Sequence, residues 1–203
     1  MRTKMKIKFR MRMRKTTRSH HTTILLCASL LAYAAAATAT TLARMSVADM
    51  TRASGLILRA RCLANSTRWD AGEIWTFTSF APLEAWKGSA HSPITVRLLG
   101  GRAGNITSSV SGVPRFRPGE DVVLFLQQAP NGNYSVVSWV QGTFRIAHAR
   151  GTATEIVTQD SASVDTFDPA TRQFKSSGIR ALPLDALRAQ VSSAMRSASG
   201  GKK

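Results

Sequence analysis

The chain is poor in cysteine: it has two in 203 residues, and Cys27 lies in an apolar stretch near the N-terminus. Beyond residue 39 only Cys62 remains, and a single thiol cannot form an internal disulfide bond. This excludes a scaffold held by disulfides, so the remaining roughly 160 residues must rely on a hydrophobic core, for which that length suffices. No histidine or lysine adjoins Cys62 to lower its pKa, which favours a buried side chain over a reactive thiol.

The chain also lacks the spacing patterns of common catalytic and metal sites. It contains no H-E-x-x-H, no paired C-x-x-C and no G-x-S-x-G. The glycine-rich residues 100–104 match no phosphate-binding loop, and Glu120 and Asp121, adjacent on a predicted strand, point to opposite faces. Past the leader the histidines are His91 and His148, one on each of two elements, so metal binding with a distant carboxylate stays only an alternative. We therefore predict no enzyme, no catalytic residues, no metal and no cofactor.

Acidic residues are scarce, 11 against 28 lysines and arginines, for a formal net charge of +17. Residues 1–20 hold nine of the basic residues and no acid, leaving 19 basic and 11 acidic residues, a charge of +8, over the rest. Such a charge favours weak attraction to polyanions, although a basic solvated surface is the simpler interpretation. The expected partner is an envelope or extracellular protein or a polyanion, with no specific nucleic acid.

No apolar run is long enough for a membrane helix, which needs about 20 residues. Residues 24–39 form an uncharged run of about sixteen residues after a basic region, 1–23, and end in small residues at 37–39. This pattern predicts an export signal peptide over 1–39, cleaved before Thr40, and a periplasmic or extracellular protein. The alternative is an uncleaved N-terminal anchor, which would be the only contact with a membrane. The start codon can be any of three methionines, Met1, Met11 or Met13.

Strand and turn signals dominate residues 114–148. Five consecutive apolar residues within 121–128 indicate a buried strand, and Asn131-Gly132 is a strong hairpin signal. Further strands are predicted at 134–140 and 143–148, with Gly142 marking a bend or bulge. The central segment is therefore a β-meander.

The flanking segments complete a mainly β fold: a small OB-like, partly open antiparallel barrel of about five or six strands. A short helix, capped by Ser46 and Asp49, precedes it. The Leu56 to Cys62 alternation predicts a strand followed by a turn at 65–67, and Pro82 is expected to split the next strand by a bulge or kink. The predicted divisions are a signal peptide at 1–39, a β-barrel domain at 40–158 with strands at 56–64, 73–80, 83–86, 94–99 and an edge strand within 151–158, a polar linker at 159–182, an amphipathic C-terminal helix at 183–196 and a basic tail at 197–203.

Aromatic residues concentrate in 72–87, close in sequence to two arginines of the preceding strand. Together they are compatible with base stacking by single-stranded nucleic acid, but aromatic residues in a half-buried sheet are usually core or cross-strand pairs. An exported protein rarely meets cytosolic nucleic acid, which favours the second interpretation. The candidate binding surface comprises Arg59, Arg61, Trp75, Phe77, Arg102 and His148.

Several short segments carry a resemblance to known proteins: Gly72-Glu73-Ile74-Trp75-Thr76, Glu84-Ala85-Trp86-Lys87-Gly88, Gly112-Val113-Pro114-Arg115-Phe116, Pro118-Gly119-Glu120 and Gln141-Gly142-Thr143-Phe144. About half of the chain resembles a widespread family of exported bacterial proteins of uncharacterised function. At fold level it is similar to the OB-type barrel of netrin-like and tissue-inhibitor-of-metalloproteinase (TIMP) domains. Those inhibitors chelate the protease zinc through an N-terminal cysteine, which the expected N-terminus near Thr40 lacks.

The functional expectation is an exported, non-enzymatic binding or structural module of unknown ligand. Two alternatives stay open. One is a TIMP-like protease inhibitor or an enzyme with a site on the barrel face. The other is a basic domain that adheres to anionic cell-envelope polymers.

Overall fold

The computed structural model describes residues 42–130, 132–149, 151–176 and 178–200. The predicted signal peptide at 1–39 and residues 201–203 of the predicted tail lie outside these ranges. In the described part, no helix is both long and apolar enough to cross a membrane.

The fold begins with a long antiparallel hairpin of β1 (Leu56–Asp70) and β2 (Glu73–Lys87). Its turn residues, Ala71 and Gly72, have φ of 51° and 83°, the two positive values that a type I′ hairpin requires. The predicted turn at 65–67 is wrong: these residues continue β1 because they pair with β2 up to this turn. Pro82 does not split β2, but the predicted irregularity is there, since a register shift leaves Leu83 without a partner on β1.

Strands β3 (Ile94–Leu99), β6 (Asp121–Gln128) and β7 (Tyr134–Val136) form a ring with the first hairpin. The order of the five strands around the ring is β1, β2, β3, β7, β6 and back to β1. All of its pairings are antiparallel except that of β3 with β7, a single parallel bridge. The mainly β, small OB-like architecture predicted from the sequence is confirmed.

Strand β7 is shorter than the predicted strand at 134–140, because the chain turns through the 3-10 segment Trp139–Gly142. The turn is tight at Gly142, where an added Cβ would lie 2.3 Å from the carbonyl oxygen of Val137. It leads into β8 (Thr143–His148), which pairs with β6 outside the ring and not with β7, so the predicted β-meander of this segment is wrong. Strand β9 (Glu155–Gln159) pairs with β8 on one side and with β12 (Leu182–Pro183) on the other, so it is not the predicted edge strand.

Residues 159–176 and 178–182 form short elements rather than an extended polar connection, which corrects the predicted linker. They contain the 3-10 segment Asp160–Ser163 and the hairpin of β10 (Asp165–Asp168) and β11 (Gln173–Ser176). Their polar side chains bond to the backbone: Gln159 Nε2 donates to the Gln141 carbonyl at 2.5 Å, and Ser176 Oγ to the Ala162 carbonyl at 2.6 Å. The low hydrophobicity of this segment therefore reflects polar side chains that hydrogen-bond to the backbone. A second small hairpin, β4 (Gly101–Ala103) with β5 (Ile106–Ser108), follows β3.

Two helices flank the sheet. Helix α1 (Val47–Ala53) has the predicted capping box, in which Ser46 Oγ accepts from the Asp49 N–H and Asp49 Oδ2 accepts from the Ser46 N–H. Helix α2 (Leu184–Gly200) confirms the predicted C-terminal helix and runs further, into the predicted basic tail.

The buried residues form two clusters, one on each side of β1 and β6. The interior core fills the ring and includes Leu58, Cys62, Phe80, Val96 and Leu124. The helix-covered core lies between the sheet and the two helices and includes Met50, Ile57, Val123, Phe125, Phe144, Leu187 and Val191.

Candidate functional site

The outer surface of strands β1, β2 and β3 carries the aromatic side chains that the sequence singled out. Successive residues of a strand point to opposite faces. Because Thr76, Thr78 and Phe80 point into the protein and are buried, Trp75, Phe77 and Ser79 face outward. The strand register aligns three outward rows across the sheet, which we call the open face: Ala64–Ser79–Thr95, Ser66–Phe77–Arg97 and Arg68–Trp75.

Two arginines lie over the aromatic rings of the open face. The Cζ atom of Arg68 is 3.6 Å from the ring centre of Phe77, and that of Arg97 is 3.7 Å from Trp75. Both distances are well within the range of cation–π attraction, about 6 Å. The rings of Trp75 and Phe77, which the sequence assigns to the candidate binding surface, are thus covered by guanidinium groups.

The two arginines differ in their charge partners. Arg97 Nη2 lies 2.8 Å from Asp70 Oδ2, so its charge is compensated. Arg68 is exposed, and in the described ranges no carboxylate lies within 4.0 Å of it. Arg68 therefore offers a positioned, uncompensated guanidinium at the surface.

A groove of about 320 Å³ opens beside Arg68, and we call it the open groove. The hydroxyls of Ser66, Ser79 and Thr95 have no hydrogen-bond partner among the described residues, whereas Asn65 is engaged with Thr78 and with the Phe116 carbonyl. The groove is lined by Ala64, Asn65, Ser66, Arg68, Phe77, Ser79, Thr95 and Asn133. Its hydroxyls and guanidinium are groups that a polar, anionic ligand would engage.

Arg59 and Arg61, which the sequence grouped with the aromatic residues, belong to an ion network elsewhere on the sheet. Arg59 donates to both carboxylate oxygens of Glu155, at 2.7 and 2.8 Å, and Arg61 to both of Asp121, at 2.7 and 3.0 Å. Hydrogen bonds from Arg61 lower the pKa of Asp121, and those from Arg59 lower that of Glu155. His148 pairs with Glu155 across β8 and β9, which places it beside this network. These arginines already have anionic partners within the protein.

Arg102 occupies a third location. It lies exposed on β4, and its Nε donates to the Gly104 carbonyl at 3.2 Å.

The six predicted surface residues thus divide among three places, and only Trp75 and Phe77 lie on the open face. Sequence reasoning missed the other groups of the open face: Ser66, Arg68, Ser79, Thr95 and Arg97. Counting outward from a two-residue turn at 71–72 would have placed Arg68 opposite Trp75.

A separate arginine, Arg145, is the centre of a charge cluster in which each of its three guanidinium nitrogens donates a hydrogen bond. It contacts Glu120, donates to both oxygens of Asp160 at 2.8 and 2.9 Å, and donates to the Arg115 carbonyl at 2.5 Å. These bonds join β8 to the segment after β9 and to the chain before β6. The cluster therefore serves the structure.

Burial raises the pKa of Cys62, which lies nearby, and this keeps the thiol protonated in the interior core.

Neither a metal-binding cluster nor a match to a known protein assigns a function to this site. In the described part of the chain, no group of three or more His, Cys, Asp or Glu side chains could hold a metal ion. No family model matches the chain, and no curated protein matches it at a significant level.

Proposed function

We propose that this protein is an exported, non-enzymatic binding module that captures an anionic ligand on its open face. The observation that carries the proposal is Arg68, which is stacked at 3.6 Å on Phe77 and lacks an acidic partner in the described ranges. A guanidinium held by stacking loses less freedom when it binds a carboxylate or phosphate than a free side chain does.

The distribution of charge supports an anionic ligand. Most carboxylates are already used within the protein, so the excess positive charge resides on basic residues without an acidic partner in the described ranges, and Arg68 is one of them. Nine of the 11 acidic side chains form ion pairs: Asp49, Asp70, Glu84, Glu120, Asp121, Glu155, Asp160, Asp168 and Asp185.

The location on the fold gives further support, by analogy. OB-fold proteins bind oligonucleotides and oligosaccharides on the face of their second and third strands. The open groove includes residues of β2 and β3 and reaches Asn133, in the loop between β6 and β7, and half of its lining residues belong to β1. Because one fold hosts many functions, this analogy supports the place of binding and not the ligand.

Of the alternatives, the TIMP-like mechanism requires an accessible cysteine at the N-terminus. Cys62, the only cysteine in the described ranges, is 1% exposed within the interior core. Adhesion to envelope polymers by overall charge differs from our proposal in one testable respect, because it would treat all exposed arginines alike.

The test compares two charge-neutralising variants of the full chain for retention on immobilised polygalacturonate and polyphosphate. We expect Arg68→Gln to weaken retention on at least one polymer about tenfold, the loss of roughly one charge-assisted interaction. The matched control is Arg196→Gln on α2, an exposed arginine outside the groove, which should change retention less than about twofold. Equal losses in both variants would favour adhesion by overall charge. The intact mass of the exported chain, with Thr40 first, checks the export part.

A further inference from the structure

We infer that the open groove recognises an acidic sugar unit, a pyranose ring that carries a carboxylate, within an anionic polysaccharide. This inference rests on the proposed function and names its ligand class. It follows from how neutral and charged groups are arranged along the groove.

The groove is hydroxyl-rich at one end and cationic at the other. The row Ala64–Ser79–Thr95 supplies two hydroxyls, and the next row adds Ser66. Arg68 belongs to the row beyond, opposite Trp75, and its guanidinium reaches back over Phe77, the strand partner of Ser66. A ligand that fits this order has neutral polar groups at one end and a single negative group at the other.

The three hydroxyls suit a polyhydroxylated ligand in particular. Each hydroxyl can donate one hydrogen bond and accept others, as can each hydroxyl of a sugar. Within the described ranges Ser66, Ser79 and Thr95 have no partner in the protein, so binding would not break an internal bond. A polyphosphate would instead favour several cations in a row, and the groove is lined by one arginine and no lysine.

The size of the groove limits the ligand to a short unit. Its volume of about 320 Å³ is at the lower end of the range for small-molecule sites, about 300–1,000 Å³. One sugar unit fits that scale better than a folded protein segment does. The planar fork of Arg68 matches a carboxylate with two parallel hydrogen bonds.

Stacked nucleobases fit this surface less well. Recognition of single strands relies on bare aromatic faces. Here Arg68 covers one face of Phe77, Arg97 covers one face of Trp75, and Phe77 is only 8% exposed.

The experiment measures the affinity of the full chain for three probes by calorimetry at fixed ionic strength. Trigalacturonate carries sugar rings and carboxylates, galactotriose carries similar rings without charge, and inorganic tripolyphosphate carries charge without sugar. We expect trigalacturonate to bind at least about tenfold more tightly than either of the others, because it alone engages both ends of the groove.

Variants then assign the binding to the groove. Arg68→Gln should weaken trigalacturonate about tenfold, and Arg68→Lys should recover only part of this loss, because lysine keeps the charge but not the planar fork. The double change Ser79→Ala with Thr95→Val should weaken trigalacturonate by about threefold to tenfold and leave tripolyphosphate unchanged. Ser197→Ala and Arg196→Gln, at exposed positions of α2 outside the groove, are the matched controls and should change neither affinity.

The outcomes separate this inference from the proposed function. If tripolyphosphate binds as tightly as trigalacturonate and Arg68→Gln weakens it, the binding module stands and the sugar class is wrong. If galactotriose binds equally well, the carboxylate requirement is wrong. If no probe responds to Arg68→Gln, both the inference and the proposed site are wrong.

Discussion

The outer surface of the ring has two sides, and each covers its apolar side chains in a different way. On the helix-covered side, Ile57, Val123 and Phe125 are fully buried beneath α1 and α2. On the open face, the rings of Trp75 and Phe77 are covered by two arginine side chains instead of a helix. An aromatic ring can thus be shielded from water by a guanidinium group.

The difference matters because only the arginine cover leaves hydrogen-bond donors of the covering group at the surface. A helix that packs on aliphatic residues of the sheet buries its own apolar face and that of the sheet, which contributes stability. An arginine stacked on a ring keeps its hydrogen-bond donors in its own plane, where a ligand can reach them. The helix-covered side therefore serves stability, and the open face is the side on which we propose that a ligand binds.

The largest expected effect comes from truncating an aromatic residue on each side. Phe125→Ala should lower the free energy of unfolding by about 3–5 kcal/mol, because the ring is fully buried and packs on Phe144 at 5.5 Å. Phe77→Ala should cost less, about 1.5–3 kcal/mol, because Phe77 lies at the surface beneath arginine side chains and not inside a packed core. Urea unfolding at constant ionic strength measures both values. A larger loss for Phe77→Ala would contradict the division into two sides.

The two sides also differ in how far they could be predicted from the sequence. Five consecutive apolar residues in β6 indicate burial on both faces, and the Leu56 to Cys62 alternation predicts the interior core. The capped helix α1 follows from Ser46 and Asp49. These signals are local, so they can be interpreted without knowing how the strands pair.

The open face could not be predicted in the same way. The turn-forming residues at 65–67 compete with the strand signal, so the local pattern ends β1 at Ala64. Arg68 reaches Phe77 only because the hairpin turns at Ala71 and Gly72, and alanine rarely adopts the positive φ that this turn requires. Trp75 and Phe77 stand out by composition, whereas their arginine cover depends on pairing between strands.

A smaller effect is expected from the arginines themselves, which sharpens the contrast between a structural and an available guanidinium. Arg145→Met should lower the free energy of unfolding by about 1.5–3 kcal/mol, because it leaves Glu120 and Asp160 without their cation. Arg68→Met should leave stability nearly unchanged, since no carboxylate in the described part depends on it. Thermal unfolding at neutral pH compares the two variants. A similar loss in Arg68→Met would mean that this arginine is part of the fold's own charge network.

The smallest effect concerns the arginines that the sequence places on the binding surface and that instead pair with acids. Asp121 and Glu155 have pKa values lowered from the ordinary 3.8 and 4.5, mainly by hydrogen bonds from Arg61 and Arg59. A carboxylate whose pKa is lower in the folded state stabilises the protein when ionised, so its contribution is present above the ordinary pKa and is lost as the pH falls through the folded-state value. The gain is modest because these groups are partly exposed to water.

The test of this network is the pH dependence of unfolding. Between about pH 5 and pH 3, the wild-type chain should lose more stability than Arg59→Gln, which lacks the pair with Glu155 and has less to lose. Arg68→Gln, with the same change in charge, should follow the wild-type curve because no carboxylate of the described ranges pairs with Arg68. If Arg68→Gln flattened the curve as Arg59→Gln is expected to do, Arg68 would have a carboxylate partner in solution, and the free guanidinium on which the binding proposal depends would not exist.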